Sequence, residues 1–247
     1  MRRRTAQGPF ATDNGMCQGT HVTTTNPDAV KTERPAGIET ARKRHSPLRE
    51  ARLETTRAAL LASALDHFAK RGFAGASLRE IAADAGVQHG MIRHVYRTKE
   101  ELWRQVIAFL FERMEQEMPE DIATAQPDGR RESAERWIRW YVGYCARHPE
   151  HARLMVQQSI LDGPELEWAS DRYIRGRHAW HRPFVEALQK AGHLPQVDPL
   201  SLFMMMTAAA QMPYLLAPEI KAVAGRDPHD PKEIAAHAEA VIRAFLR

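Results

Sequence analysis

Residues 77–99 read SLREIAADAGVQHGMIRHVYRTK. Ser77 and Glu80, three residues apart, make a capping-box pattern in which hydroxyl and carboxylate each satisfy a free backbone N–H, so a helix is expected from Leu78. Ile81, Ala82 and Ala85 share its inward face, and Gly86 suits a sharp turn because glycine tolerates positive φ. A second helix is expected over about 88–96, with Ile92 and Val95 inward. Two short helices with small residues at their crossing and a glycine between them have the internal logic of a helix-turn-helix, here about 77–96. The outward side of the second helix carries His89, Met91, Arg93 and His94, with Arg97 and Lys99 just beyond. Such side chains can reach base edges and phosphates when the helix lies in a DNA major groove, which is about 12 Å wide.

Working outward, Leu60, Leu61, Ala64, Leu65 and Phe68 fall on one helical face upstream of this stretch. They predict a helix over about 54–71 that stops at Gly72. Downstream, Thr98 and Glu101 form a second capping box, opening a long helix through Leu102, Val106, Phe109, Leu110 and Met114. Further helices are expected over about 132–147, 150–161, 168–191, 199–217 and 232–246. The last begins on Asp230-Pro231-Lys232-Glu233, with an acidic N-cap and proline at the first helical position. No segment shows strand periodicity and no repeat is visible, so the fold class is all-α.

Charge is uneven along the 247 residues. The formal net charge is +4, yet residues 1–52 hold ten Lys/Arg against five Asp/Glu, a net of +5, while residues 53–118 hold nine of each. The first segment is rich in Thr, Pro, Gly, Asn and Arg without apolar periodicity, and reads as a disordered basic arm. It reads equally well as a tail without function or the product of a misplaced start. Arg2, Arg3 and Arg4 are not followed by an apolar run, so no signal peptide is expected. The apolar stretch Leu200–Ala217 is broken by Ser201, Thr207, Gln211 and Pro213 and reads as a buried interface helix rather than a membrane span. The expected location is the cytoplasm, without membrane contact.

Catalytic classes find little support. No Gly-rich phosphate loop, His-Glu-x-x-His or Gly-x-Ser-x-Gly motif occurs, and the two cysteines, Cys17 and Cys145, cannot form a metal-spaced pair. His148/His151 and His178/His181 are i, i+3 pairs usable for a transition metal, but no carboxylate or thiol has matching spacing. No catalytic residue, metal or cofactor is therefore expected. The aromatic and Met-rich set in the second half, Trp137, Tyr141, Met155, Trp180, Phe184 and Met205 within it, forms a candidate ligand pocket because methionine adapts to irregular apolar molecules.

Five segments in order, Thr56–Leu65, Phe68–Phe73, Ala76–Ala82, Ala85–Val87 and Tyr96–Leu102, closely resemble the TetR family of transcriptional regulators over about residues 54–110. The resemblance implies an N-terminal three-helix DNA-binding domain and a C-terminal helical domain that dimerises and binds a small ligand. The expected division is an arm over 1–52, a DNA-binding domain over 53–112 and a ligand and dimer domain over 113–247. The implied partners are a palindromic double-stranded DNA operator, an unknown small-molecule effector that releases it, and a second copy of the chain. That copy would pair through the helices at 199–217 and 232–246. Carried onto this chain, the resemblance makes Ser77 and Lys99 phosphate contacts, within a DNA-facing set of Ser77, Arg79, Gln88, His89, Gly90, Arg93, His94, Tyr96 and Lys99. Arg93 stands where the family usually has Tyr, and Val95 where it usually has His. Arginine can keep a phosphate contact through paired hydrogen bonds, whereas valine cannot make one. The expected function is a ligand-released repressor; the alternatives are a metal-responsive regulator of the same fold and a helical dimeric adaptor that does not bind DNA.

Overall fold

The architecture follows from helices of very unequal length. The computed structural model describes residues 47–247. In them run α1 (Pro47–Gly75), α2 (Leu78–Asp84), α3 (His89–Val95), α4 (Lys99–Gln116), α5 (Glu120–Ala123), α6 (Arg131–Arg147), α7 (Pro149–Leu161) and α8 (Pro164–Ala169). A π-helical turn, Ser170–Ile174, leads into α9 (Arg175–Lys190), followed by α10 (Pro199–Leu215), α11 (Ala217–Ala224) and α12 (Pro231–Phe245). No strand occurs among the described residues, in agreement with the all-α expectation.

The first helix starts earlier than its apolar spacing predicts. Residues 47–52, assigned above to the arm, are helical, and the rest of the expected arm, 1–46, lies outside the described residues. The break falls at Gly72 as predicted, where φ is +70°; a side chain there would be strained. At the other end of the chain, Asp230 caps α12 by accepting the Lys232 N–H at 2.8 Å, with Pro231 at the first helical position. Three elements lie wholly or mostly outside the expected helices: the single turn α5, α8 and α11.

Leu60, Ala64, Phe68, Ile81, Ile92, Leu102, Val106 and Ile107 are fully buried in one core that closes α1 to α4 into a head. That core does not end at residue 112. Leu154 of α7 and Ala169 of α8 belong to it, and Trp103 of α4 sits edge-on between Phe73 (6.1 Å) and Trp168 (5.8 Å). The 112/113 boundary expected above falls inside α4, a single 18-residue helix. A second core joins α6, α9, α10 and α12 through Ile138, Val142, Leu188, Leu202, Ala210, Tyr214, Val241 and Ile242. No single described helix is long and apolar enough to cross a membrane, and α10 with α11 would do so only across a 68° bend.

Candidate nucleic-acid interface and effector chamber

The interface is built on the short helices α2 and α3. Ser77 occupies the N-cap of α2, but its side chain makes no capping hydrogen bond, which corrects the expected capping box. The reciprocal half is missing too, because the Glu80 carboxylate is taken by Arg71 of α1 and lies 3.9 Å from His67 Nδ1. Asp84 holds the other ring nitrogen of His67 at 2.5 Å, and Ser63 donates to the Ile81 carbonyl at 3.0 Å. These contacts clamp α2 to α1 and leave the Ser77 hydroxyl free of the backbone. At α4 the box forms: Thr98 Oγ1 accepts from the Glu101 N–H at 3.1 Å, while Glu101 reaches back to accept from the Arg97 N–H at 2.9 Å.

Gly86 makes the turn into α3 with φ +69°. Behind α3 Ile92 is fully buried, and on its outer side Gln88, His89, Gly90, Met91, Arg93 and His94 are exposed, as is Arg79 on α2. A Cβ at Gly90 would meet nothing within 4 Å, so the helix surface there is open. The decisive electrostatic feature is a lack of internal partners. Arg113, Arg131, Arg139, Arg147, Arg182 and Arg226 each hold a carboxylate. Arg79, Arg93 and Arg97 pair with no acid among the described residues, while the nearby acids Glu80 and Asp84 are engaged by Arg71 and His67. The outer face of α2 and α3 therefore presents cation that nothing described neutralises.

Two residues of the expected DNA-facing set sit differently. Tyr96 is 8% exposed and belongs to the head core, so most of its ring is out of reach of DNA. Lys99 donates to the Ala74 carbonyl at 3.1 Å and lies 4.9 Å over the Phe73 ring; two of its three donors remain for a phosphate.

The C-terminal half holds a cavity of about 400 Å³ between α4, α6, α7, α9 and α10, within the range of small-molecule sites. Of the predicted pocket residues, Trp137, Tyr141 and Met155 line it. Trp180 and Phe184 instead line a neighbouring slot of about 60 Å³, separated by Trp137, His181 and Phe203, which border both. Met205 lines neither: it is 48% exposed on the outer side of α10, because one residue of helix rotation, about 100°, separates it from the buried Met206. Sequence reading missed Phe111, Arg177, His181 and Phe203. Arg177 offers no signal, since arginine on a helix is ordinarily a surface residue, yet here it is 8% exposed.

Burial dominates the chemistry of this chamber. It pushes His151 down to about 3, helped by the charges of Arg177 and Arg113, and His181 down to about 3, helped by Arg177. The Cys145 thiol rises to about 12 and Tyr141 also rises, both through burial. Both histidines are thus neutral at pH 7, and among the described residues no three His, Cys, Asp or Glu side chains gather as a metal site would need. The chamber reaches the DNA-binding head through α4, whose first half lies in the head core while Phe111 and Met114 line the cavity. Its second half is tied to the α6–α7 corner. Arg113 donates to Glu150 at 2.7 Å, Glu117 takes Arg147 (2.9 Å) and His148 (2.6 Å), and the Tyr144 hydroxyl donates to Leu110 O at 3.3 Å and meets His151 Nδ1 at 2.8 Å.

An acid effect follows. Below about pH 6.5 the unfolded chain protonates these two imidazoles while the folded chain does not, so their contribution is complete above that pH and is lost as pH falls towards 3. Each should cost up to about 1.4 kcal/mol per pH unit in that window. Urea midpoints at pH 7.5 and 5.0 should show the loss, and His181→Phe should remove about half of it; an H181F variant with unchanged pH dependence would contradict the burial.

The family description that matches residues 60–106 is "Bacterial regulatory proteins, tetR family". The chain is 26% identical over 173 residues to the HTH-type transcriptional regulator RutR of Escherichia coli K12, covering 68% of this chain and 77% of that protein. It is 32% identical over 120 residues to the HTH-type transcriptional repressor SCO4008 of Streptomyces coelicolor, covering 48% of this chain and 58% of that one. Its fold matches AibR, solved in complex with isovaleryl coenzyme A and operator DNA, with TM-score 0.57 at 17% identity over 77% of this chain and 97% of AibR. The helix-turn-helix head thus matches the tetR family of bacterial regulatory proteins over residues 60–106, and the chain as a whole resembles such regulators in sequence and in its all-helical fold.

Proposed function

We propose that this protein is a DNA-binding transcriptional repressor, a dimer that holds a roughly palindromic operator and releases it when a small molecule enters the α4–α10 chamber. One observation carries the reading: the outer face of α3 exposes His89 and His94 beside three guanidinium groups, Arg79, Arg93 and Arg97, that no described carboxylate neutralises. Phosphates supply the missing counter-charge, and base edges take the polar side chains. Ser77, with its hydroxyl uncommitted, and Lys99 extend the contact onto the backbone on either side. The chain acts by binding rather than by catalysis, in the cytoplasm where its operator would be.

The second copy is supported by α10 and α12. Leu200, Met204, Met205, Met212 and Leu216 form an exposed apolar surface along α10, and Ala236, Ala240 and Ala244 give α12 a small, exposed side. Covering such a surface favours association. Light scattering should give twice the 28.0 kDa chain mass, and M205E with M212E should return the monomer; a stable wild-type monomer would remove the palindrome with it. The test of the function is a gel shift with DNA from immediately upstream of the protein's own coding sequence. A salt-sensitive, saturable complex is expected, and the absence of any preference over unrelated DNA of equal length would favour the adaptor.

A further inference from the structure

The α4–α10 chamber has an uneven chemistry. No aspartate or glutamate lines it, whereas Arg177, His151, His178, His181, Tyr141, Tyr144, Thr207 and Gln211 do. The indole N–H of Trp137 is buried without an acceptor among the described residues. Against these donors and the one guanidinium charge of Arg177, the rest of the wall is apolar and much of it flat. Trp137 stacks on Tyr141 (5.0 Å, 17° between planes), and Phe203 meets the rings of His178 and His181 at 4.9 and 4.7 Å.

Arg177 is the centre of the arrangement. It projects from α9, and the contacts it makes to α4 are weak ones. Its Nη1 lies 3.3 Å from the thioether of Met114, Nη2 lies 3.4 Å from Glu115 Oε1, and the guanidinium sits 4.8 Å over the Phe111 ring. A thioether is a poor acceptor, and 3.4 Å is long for a charge-assisted pair, whose ordinary length is about 2.7–2.9 Å. A carboxylate in the chamber would be a better partner than either.

We infer that the effector is an organic anion with a flat aromatic body, whose carboxylate pairs with Arg177 and draws it off Met114 and Glu115, so that α4 loses its tie to α9. The inference rests on the ligand-released reading of the chamber and adds the charge of the ligand and the residue that reports its arrival. Glu115 acts as the internal competitor. The same helix carries Leu102, Trp103 and Val106 in the head core, so a freed α4 can move the recognition helices.

The probes are 1-naphthaleneacetate and its amide, equal in shape and different in charge, with decanoate to test the aromatic body. Binding is followed on the full chain without DNA by calorimetry and by quenching of intrinsic tryptophan fluorescence. The acid should bind at least tenfold more tightly than the amide and more tightly than decanoate. R177Q should abolish the preference for the acid, and E115Q should strengthen acid binding several-fold. Equal affinity for acid and amide, or no binding of either, would overturn the assignment of an anion; tighter binding of decanoate would overturn the aromatic body. Should R177Q fail to fold, as thermal melting would reveal, the E115Q variant still decides, because it leaves the arginine in place and removes its competitor. A gel shift of the unliganded protein reports on the DNA-binding reading separately, so failure of one is distinguishable from failure of the other.

Discussion

Replacing Arg93 with alanine is expected to lower operator affinity by about 1–3 kcal/mol, roughly 5- to 150-fold, and to reduce the salt dependence of binding by about one counterion. Arg93 is exposed on α3, has no acidic partner among the described residues, and stands next to His94 on the outer side of a helix whose inner side is closed by Ile92. Nothing within the described fold depends on its charge, so the thermal stability of R93A should equal that of the wild type. Arg182 provides the control. It is equally cationic but paired with Glu186 at 2.7 Å on α9, away from the head, and R182A should leave DNA binding unchanged. Fluorescence anisotropy over a salt series separates the outcomes. An R93A affinity equal to wild type would remove α3 as the reading helix.

The second large effect concerns the joint between the two halves. Trp103 is 1% exposed, with Phe73 of the head on one side and Trp168 of α8 on the other. Truncation to alanine leaves a cavity the size of an indole in a core shared by α1, α4, α7 and α8, and losses of this kind run to about 3–5 kcal/mol. A W103A urea midpoint showing a loss under about 1 kcal/mol would mean that head and body do not share a core. The predicted result fits the continuity of α4, and it explains why a ligand among Phe111 and Met114 is felt at the head: the same rigid helix serves both.

What was legible in the sequence was local. The turn at Gly86, the stop at Gly72, the caps at Thr98 and Asp230 and the inward row Ile81, Ile92 and Leu102 depend on residues a few positions apart, and all appear where spacing places them. What was not legible was decided by distant partners. The Glu80 half of the Ser77–Glu80 box is lost to Arg71, nine residues upstream of Glu80, which captures its carboxylate. Met205 and Met206 are indistinguishable as residues, yet packing against α6 and α9 buries Met206 and leaves Met205 outside. The aromatic set suggests one chamber, but Trp137, His181 and Phe203 border two spaces, and Trp180 and Phe184 line the narrower one. Arg177 could be recognised only once α4 and α9 were seen to enclose it.

In a bound dimer, α3 of each of two paired chains is expected to enter successive major grooves of one operator. Hydroxyl-radical and methylation-protection footprinting on the bound upstream fragment tests it most directly. Two protected segments, with major-groove guanines shielded in each, should lie one helical turn apart, about 34 Å, or a whole multiple of it, and with R93A the same protection should need a higher protein concentration while the fold persists. Protection of a single segment, or of the backbone alone with every guanine still reactive in the wild-type complex, would contradict the account.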